Sequence, residues 1–162
     1  MMHHTRSLQN QIVLKQIVCY NIYMKNEIWV PLKEIYRNGK VLKFEGYEVS
    51  NFGRVRTYKQ KYGQVSRSNI AAGINRPLQK NPTIIKGRPD RKGYMLLCLS
   101  DINKKRYNIR VHTAVMQAFH GFPKDKEIIC HYNDIKTDNR LENLRYDTYK
   151  SNSADRKRNK QQ

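Results

Sequence analysis

The stretch that most limits what this chain can become is Ile128-Ile129-Cys130-His131-Tyr132-Asn133-Asp134, followed after a fixed interval by Leu141-Glu142-Asn143-Leu144-Arg145 and then Ser151-Asn152-Ser153. Asn143 lies twelve residues after His131, and Asn152 nine residues after Asn143. That spacing suits two short strands joined by a loop and followed by a helix, a unit able to bring His131 and Asn152 together beside one divalent metal. The surrounding chain is intensely basic: 32 Lys and Arg stand against 13 Asp and Glu in 162 residues, a formal charge of +19. A surface of that sign attracts polyanions. A phosphodiester is the natural substrate for a metal and an imidazole base in such surroundings, so the residues point first to a DNA-cutting enzyme. Charge alone would equally suit an RNA-associated protein.

The three cysteines, Cys19, Cys98 and Cys130, show no C-x-x-C spacing, which argues against a zinc ribbon or a disulfide framework. Free thiols suit a reducing cytoplasm. No window approaches the length of an apolar membrane span, and the start lacks a signal-peptide pattern. The expectation is a soluble cytoplasmic protein of one domain or two small modules, with no membrane partner.

The pattern along the chain predicts an α+β fold: a small β-rich N-terminal module, a basic linker and hairpin, then a C-terminal ββα unit. Residues 1–26 read as a leader, in which Gln11 to Tyr20 suits a strand or a short helix and Met24 is an alternative start. Residues 27–57 read as short strands, with a turn at Asn51-Phe52-Gly53 whose Asn and Gly are expected to supply positive φ. Residues 58–90, rich in Gly, Pro, Lys and Arg, read as a loop-rich linker. Residues 91–156 open with a hairpin, Tyr94 to Ser100 and Arg106 to Val111. Val111, Val115, Ala118 and Phe119 then recur at helical spacing until Gly121 and Pro123 end the run. Residues 157–162 form a basic tail.

Two regions resemble known families. Val111-His112 through Ala118-Phe119, Cys130-His131, Asn139, Leu141-Glu142-Asn143-Leu144 and Asn152 resemble the HNH endonucleases of phages and mobile introns. Trp29-Val30-Pro31 with Phe44 through Arg56 resembles the nuclease-associated modular domain often found ahead of that unit. The order of the two composite motifs is more specific than either half. The resemblance implies a ββα-metal fold around one divalent ion, Mg²⁺ or alternatively Mn²⁺, cutting double-stranded DNA as a monomer or weak dimer. His131 would be the general base, Asn143 a loop brace and Asn152 a metal ligand. The products would carry 5′-phosphate and 3′-hydroxyl ends.

Local chemistry supports the role of Asn152. Thr148 or Asp147 can cap the last helix, yet its body then spends Ser151, Asn152 and Ser153 where better helix formers were available. A local conflict of that kind is where a functional demand is expected. Cys130 departs from the pattern, because this position commonly holds Asp or Asn. Three readings stay open: a small buried side chain with water or substrate filling the ligand position, a ligand role passing to Asp134 or Asp155, or a thiolate binding a softer ion. The turn after His131 lacks the glycine common in relatives, but Asn133-Asp134 tolerates the same conformation. His112 reads as a structural histidine, and His120 as a helix-end residue.

Arg54, Arg56, Lys59, Lys61, Arg88, Arg91, Lys92, Arg110, Arg145 and Arg156 are the expected DNA contacts, with Tyr58 and Tyr62 able to stack on bases. Trp29 and Phe44 are assigned to the core of the first module. The competing functions are a DNA-binding protein that has lost catalysis, suggested by Cys130, and an RNA-associated basic protein.

Overall fold

The computed structural model describes residues 26–59 and 78–159, with backbone alone over 155–159. In chain order the elements are β1 (Trp29–Pro31), β2 (Glu34–Arg37), β3 (Lys40–Lys43), β4 (Tyr47–Ser50), β5 (Val55–Thr57), β6 (Thr83–Ile84), β7 (Arg88–Pro89), β8 (Met95–Ser100), β9 (Arg106–Arg110), α1 (Val111–His120), β10 (Ile128–His131), a short 3-10 turn (Leu141–Asn143), β11 (Leu144–Asp147) and α2 (Tyr149–Asn159). They form a four-stranded sheet ordered β1-β4-β5-β6, a three-stranded sheet β7-β8-β9, and the pairs β2-β3 and β10-β11.

Turn chemistry accounts for much of this. Asn38 and Gly39 join β2 to β3 with φ of 51° and 75°, the pair of positive values a two-residue hairpin needs. At Asn51-Phe52-Gly53 only Gly53 has positive φ, 75°, so the expectation that Asn51 shares that role is corrected. Asn51 serves instead as an anchor: its Oδ1 accepts from the Ile28 N–H at 2.8 Å and its Nδ2 donates to the Asn26 carbonyl at 3.0 Å. Helix α1 follows the predicted apolar spacing and stops at Gly121, whose φ is 77° and whose N–H donates to the Gln117 carbonyl.

The stretch read as a linker is partly strand. Arg56 pairs with Ile84 and Thr57 with Thr83, so β6 extends the first sheet, while Arg88 pairs with Leu96 and β7 extends the second. Two-residue strands have no periodicity for a sequence to display. Residues 1–25 and 60–77, with the Gln11 to Tyr20 segment, Met24, Lys61 and Tyr62, lie outside the described residues.

One domain or two small modules were expected, and the buried side chains form one cluster. Leu32, Ile35, Val49 and Val55 join Leu97, Leu99 and Ile109 of the hairpin, Val115 and Met116 of α1, and Leu141 and Leu144 of the last unit. Specific bonds lock the halves together. Gln117 of α1 accepts from the Tyr36 N–H at 2.7 Å and donates to the Tyr36 carbonyl at 3.1 Å. The Tyr47 hydroxyl accepts from the Ser100 N–H at 3.0 Å. Phe44 is in this core as expected, whereas Trp29 is only partly buried and lies under Arg56, 4.2 Å from its ring. Among the described residues no helix is long and apolar enough to cross a membrane.

Candidate active site

His131 ends β10 opposite Leu144, one step beyond the pair Cys130 and Arg145. Strand alternation puts His131 on the face of Ile129, which packs on the core, and Cys130 on the opposite face with Ile128. His131 is therefore buried, 7% exposed. The His112 ring meets it edge to face, centroids 5.3 Å apart at 82°, and Tyr94 closes the group at 5.1 Å from His112 and 6.2 Å from His131.

One contact decides which nitrogen of His131 is free. Its Nε2 faces the Asn139 Oδ1 at 3.5 Å. The Asn139 amide is oriented by its other end, where Nδ2 donates to the Thr137 carbonyl at 3.0 Å, a group that only accepts. An acceptor opposite Nε2 calls for a proton there, which leaves the lone pair on Nδ1. Burial pushes the imidazole below its ordinary value; the Asn139 oxygen and the Asp138 and Asp134 carboxylates oppose this, and Lys136 adds to it. The ring is thus neutral at neutral pH, with Nδ1 the basic atom.

The following loop is held from within. Asn143, itself buried, accepts the Asn133 N–H on Oδ1 at 3.1 Å and donates from Nδ2 to Asn133 Oδ1 at 2.9 Å and to the Asp138 carbonyl at 2.8 Å. Asn133 in turn donates to Asp138 at 2.9 Å. Arg140 grips both oxygens of Asp138 at 2.9 and 2.8 Å, which together with Asn133 brings that carboxyl down to about 2. Asp134 takes the left-handed conformation, φ 58°, in the turn after His131, as Asn133-Asp134 was expected to allow.

The remaining candidate donors are less concentrated. Asn152 is half-buried on the first turn of α2, capped by Thr148, whose hydroxyl accepts the Ser151 N–H at 3.3 Å. No hydrogen bond joins Asn152 to His131 among those described. Cys130 is 3% exposed in the sheet. Asp147 is engaged by Arg145 at 3.0 Å, and Asp134 is exposed. Among the described residues no cluster of three or more His, Cys, Asp or Glu is placed to hold a metal. The Asn152 amide oxygen is a hard donor of the kind that joins water and phosphate oxygen around a hard cation, whereas the buried Cys130 thiol is a soft donor that such a cation does not favour.

The basic residues divide. Arg54 donates to Glu27 at 2.7 Å, Arg56 pairs with Glu48 at 2.6 Å, and Arg110 pairs with Asp90 at 3.2 Å while lying over Tyr94. Lys59 donates to the Ser100 carbonyl at 3.0 Å, and burial lowers its pKa against the pull of Glu45 and Asp101. Arg145 lies over Tyr132 at 4.4 Å. Arg88, Arg91 and Lys92 are exposed. Arg156 lies in α2, within the stretch described by backbone alone, and Lys61 lies outside the described residues. A charge count could not anticipate this division, because the acids that engage Arg54 and Arg110 come from twenty or more residues away. The fold adds Asn139 and Tyr94 to this group and sets His112, expected to be structural, against His131; in the sequence the only pointer to them is the place of His112 and Asn139 in the HNH-like pattern.

A buried histidine ending the first strand of a ββα unit, above a loop braced by an asparagine, defines the HNH class of fold. Comparison with known proteins agrees. Residues 110–154 match the family described as HNH endonuclease, and residues 27–100 match the NUMOD4 motif. An uncharacterized HNH endonuclease of Acanthamoeba polyphaga mimivirus is 32% identical over 135 residues, an alignment that takes in 82% of this chain but only 27% of that protein. A solved structure of the HNH homing endonuclease I-HmuI, described for its binding and cleavage of DNA, shares the fold with a TM-score of 0.54 and 24% identity, over 81% of this chain and 58% of that one. The chain carries an HNH endonuclease domain behind a NUMOD4 motif. The NUMOD4 match runs beyond the 27–57 expected for the first module and takes in β6, β7 and β8.

Proposed function

We propose that this protein is a metal-dependent HNH endonuclease of phage or homing type that hydrolyses DNA phosphodiester bonds. The observation that carries the reading is the buried, neutral His131 with Nε2 committed to Asn139 and Nδ1 left to accept a proton. Nδ1 takes a proton from water as the water oxygen bonds to phosphorus; the bond to the 3′ oxygen breaks, that oxygen takes a proton from solvent to become the 3′-hydroxyl, the imidazolium returns its proton to solvent, and the phosphate stays on the 5′ side. Asn143 fixes the loop that sets this geometry. A divalent ion, Mg²⁺ with Mn²⁺ as the alternative, would be held through Asn152 and the DNA itself, with Cys130 in the position of the family's carboxylate, and would stabilise charge on the phosphoryl and leaving oxygens. Exposed Arg88, Arg91 and Lys92 are the strongest candidates for phosphate contacts, and Arg54 and Arg110 are partly exposed beside their acidic partners.

The partner is double-stranded DNA, and a single such site cuts one strand, so a monomer nicks. The test is relaxation of supercoiled plasmid with Mg²⁺, with EDTA, and with His131→Ala. Metal-dependent nicking lost in His131→Ala with DNA binding retained is expected. Binding without nicking under any metal would instead establish the alternative, a DNA-binding protein without cleavage, which the buried thiol at Cys130 favours.

A further inference from the structure

The Asn51-Phe52-Gly53 turn belongs to the first sheet, yet it rests against the loop that carries Asn139. The Leu141 N–H donates to the Asn51 carbonyl at 2.8 Å. A methyl group placed on Gly53 would stand 2.7 Å from both the carbonyl carbon and the carbonyl oxygen of Asn139, and 3.0 Å from its Cβ. Two of those three are backbone atoms and cannot swing aside as the end of a flexible side chain would. The turn cannot retreat easily either. Its Gly53 N–H donates to the Ser50 carbonyl at 3.0 Å, the Arg54 N–H donates to the Ser50 hydroxyl at 3.1 Å, and Asn51 is buried and tied to Ile28 and Asn26.

Asn139 therefore has the first sheet's turn against its backbone and the imidazole of His131 against its amide oxygen. We propose that Gly53 is a positioning residue for His131: by leaving room for the Asn139 backbone it sets where the Asn139 amide stands, and so which ring nitrogen of His131 carries the proton. The proposal rests on the reading of His131 as the base. It makes the N-terminal module a wall of the reaction site as well as a surface for DNA.

The test uses the full chain with ¹⁵N-labelled histidine, at one fixed near-neutral pH, because the ring-nitrogen shifts report the tautomer without DNA or cleavage. Wild type is expected to show the Nε2–H form. Gly53→Ala and Asn139→Ala are each expected to lose that preference, and the double variant to go no further than Asn139→Ala alone. Gly39→Ala is the control: it places a side chain at the same φ, 75°, with nothing within 4 Å of the added methyl, so it carries the backbone strain without the contact and should leave His131 unchanged. Should Gly53→Ala fail to fold, replacing the Leu141 amide by an ester removes the N–H given to Asn51, weakens the Arg140 carbonyl that accepts the Asn143 N–H, and should weaken the tautomer preference in the same direction. An unchanged tautomer in Gly53→Ala, or in the ester when that is the chain available, overturns the proposal, as does an equal change in Gly39→Ala. Plasmid nicking should fall roughly tenfold to a hundredfold in Gly53→Ala with DNA binding retained. A tautomer response in a chain whose wild type never nicks would sink the nuclease reading and leave the positioning intact.

Discussion

The loop after His131 and the helix that carries Asn152 sit at two ends of one candidate site and are built on opposite principles. The loop is fixed from inside by the three bonds of the Asn143 amide and by the Arg140 fork on Asp138, with Leu141 and Leu144 buried on either side of Asn143. Helix α2 has a Thr148 cap but no apolar stripe in its sequence; Tyr149 is 73% exposed, and Ser151, Ser153 and Ala154 are exposed as well. An eleven-residue polar helix gains little from its own propensity. The proposed base is thus held from within the loop, while Asn152, the proposed ligand, stands on a helix that the rest of the fold holds only lightly. That difference suits a reaction in which the proton acceptor must be aimed and the metal shell is completed by substrate.

The sharpest way to break the contrast is at the base. His131→Ala should slow nicking by about a hundredfold to ten-thousandfold while DNA affinity stays within a few-fold, measured by single-turnover cleavage and fluorescence anisotropy. Equal loss of binding and cleavage would mean that the ring holds DNA rather than accepts a proton. Asn143→Ala comes next. Losing an amide that makes three bonds should lower stability by about 2–3 kcal/mol in urea unfolding. A loss below about half a kcal/mol would show that the loop is not held as the geometry indicates.

The pH dependence is smaller and has a definite sign. Burial first, then His131 and Arg110, push His112 down to about 3 against the opposing pull of Asp90. The unfolded chain, with an ordinary histidine, binds that proton near pH 6.5. Stability is therefore complete above about pH 6.5 and falls by about 1.4 kcal/mol for each unit of acidification below it, ceasing to fall only near the folded value. Urea titrations at several pH values should show this slope in wild type and a shallower one in His112→Phe; identical slopes would contradict it. The smallest effect is on α2. Ser153→Ala should leave stability unchanged or raise it by a few tenths of a kcal/mol, since Ala is the better helix former and the side chain is exposed. A loss above about 1 kcal/mol would mean that α2 is packed far more tightly than its exposure indicates.

Much of the site was legible in the residues. Strands need alternation, helices need an apolar stripe and turns need residues that tolerate positive φ, and each of these is local. His131 on a strand end, Asn143 at the foot of a loop, Thr148 as a cap and the helix from Val111 all followed from that. The β6 and β7 strands did not, because two residues carry no period. Arg56 and Lys59 did not either: as sequence they are free charges near a turn, and only in the fold does one meet Glu48 and Trp29 and the other the Ser100 carbonyl.

By itself the sequence determined the basic charge, the order of the two motifs and the spacing that brings a histidine, an asparagine brace and a second asparagine into one ββα unit, because charge and periodicity are properties of neighbouring residues. Tertiary structure decided that both halves share one core, that the Asn139 amide faces the His131 ring, and that Gly53 lies against Asn139. Those outcomes depend on contacts between residues far apart in the chain, where a single amide oxygen or a missing methyl group changes the chemistry without leaving any pattern in the local sequence.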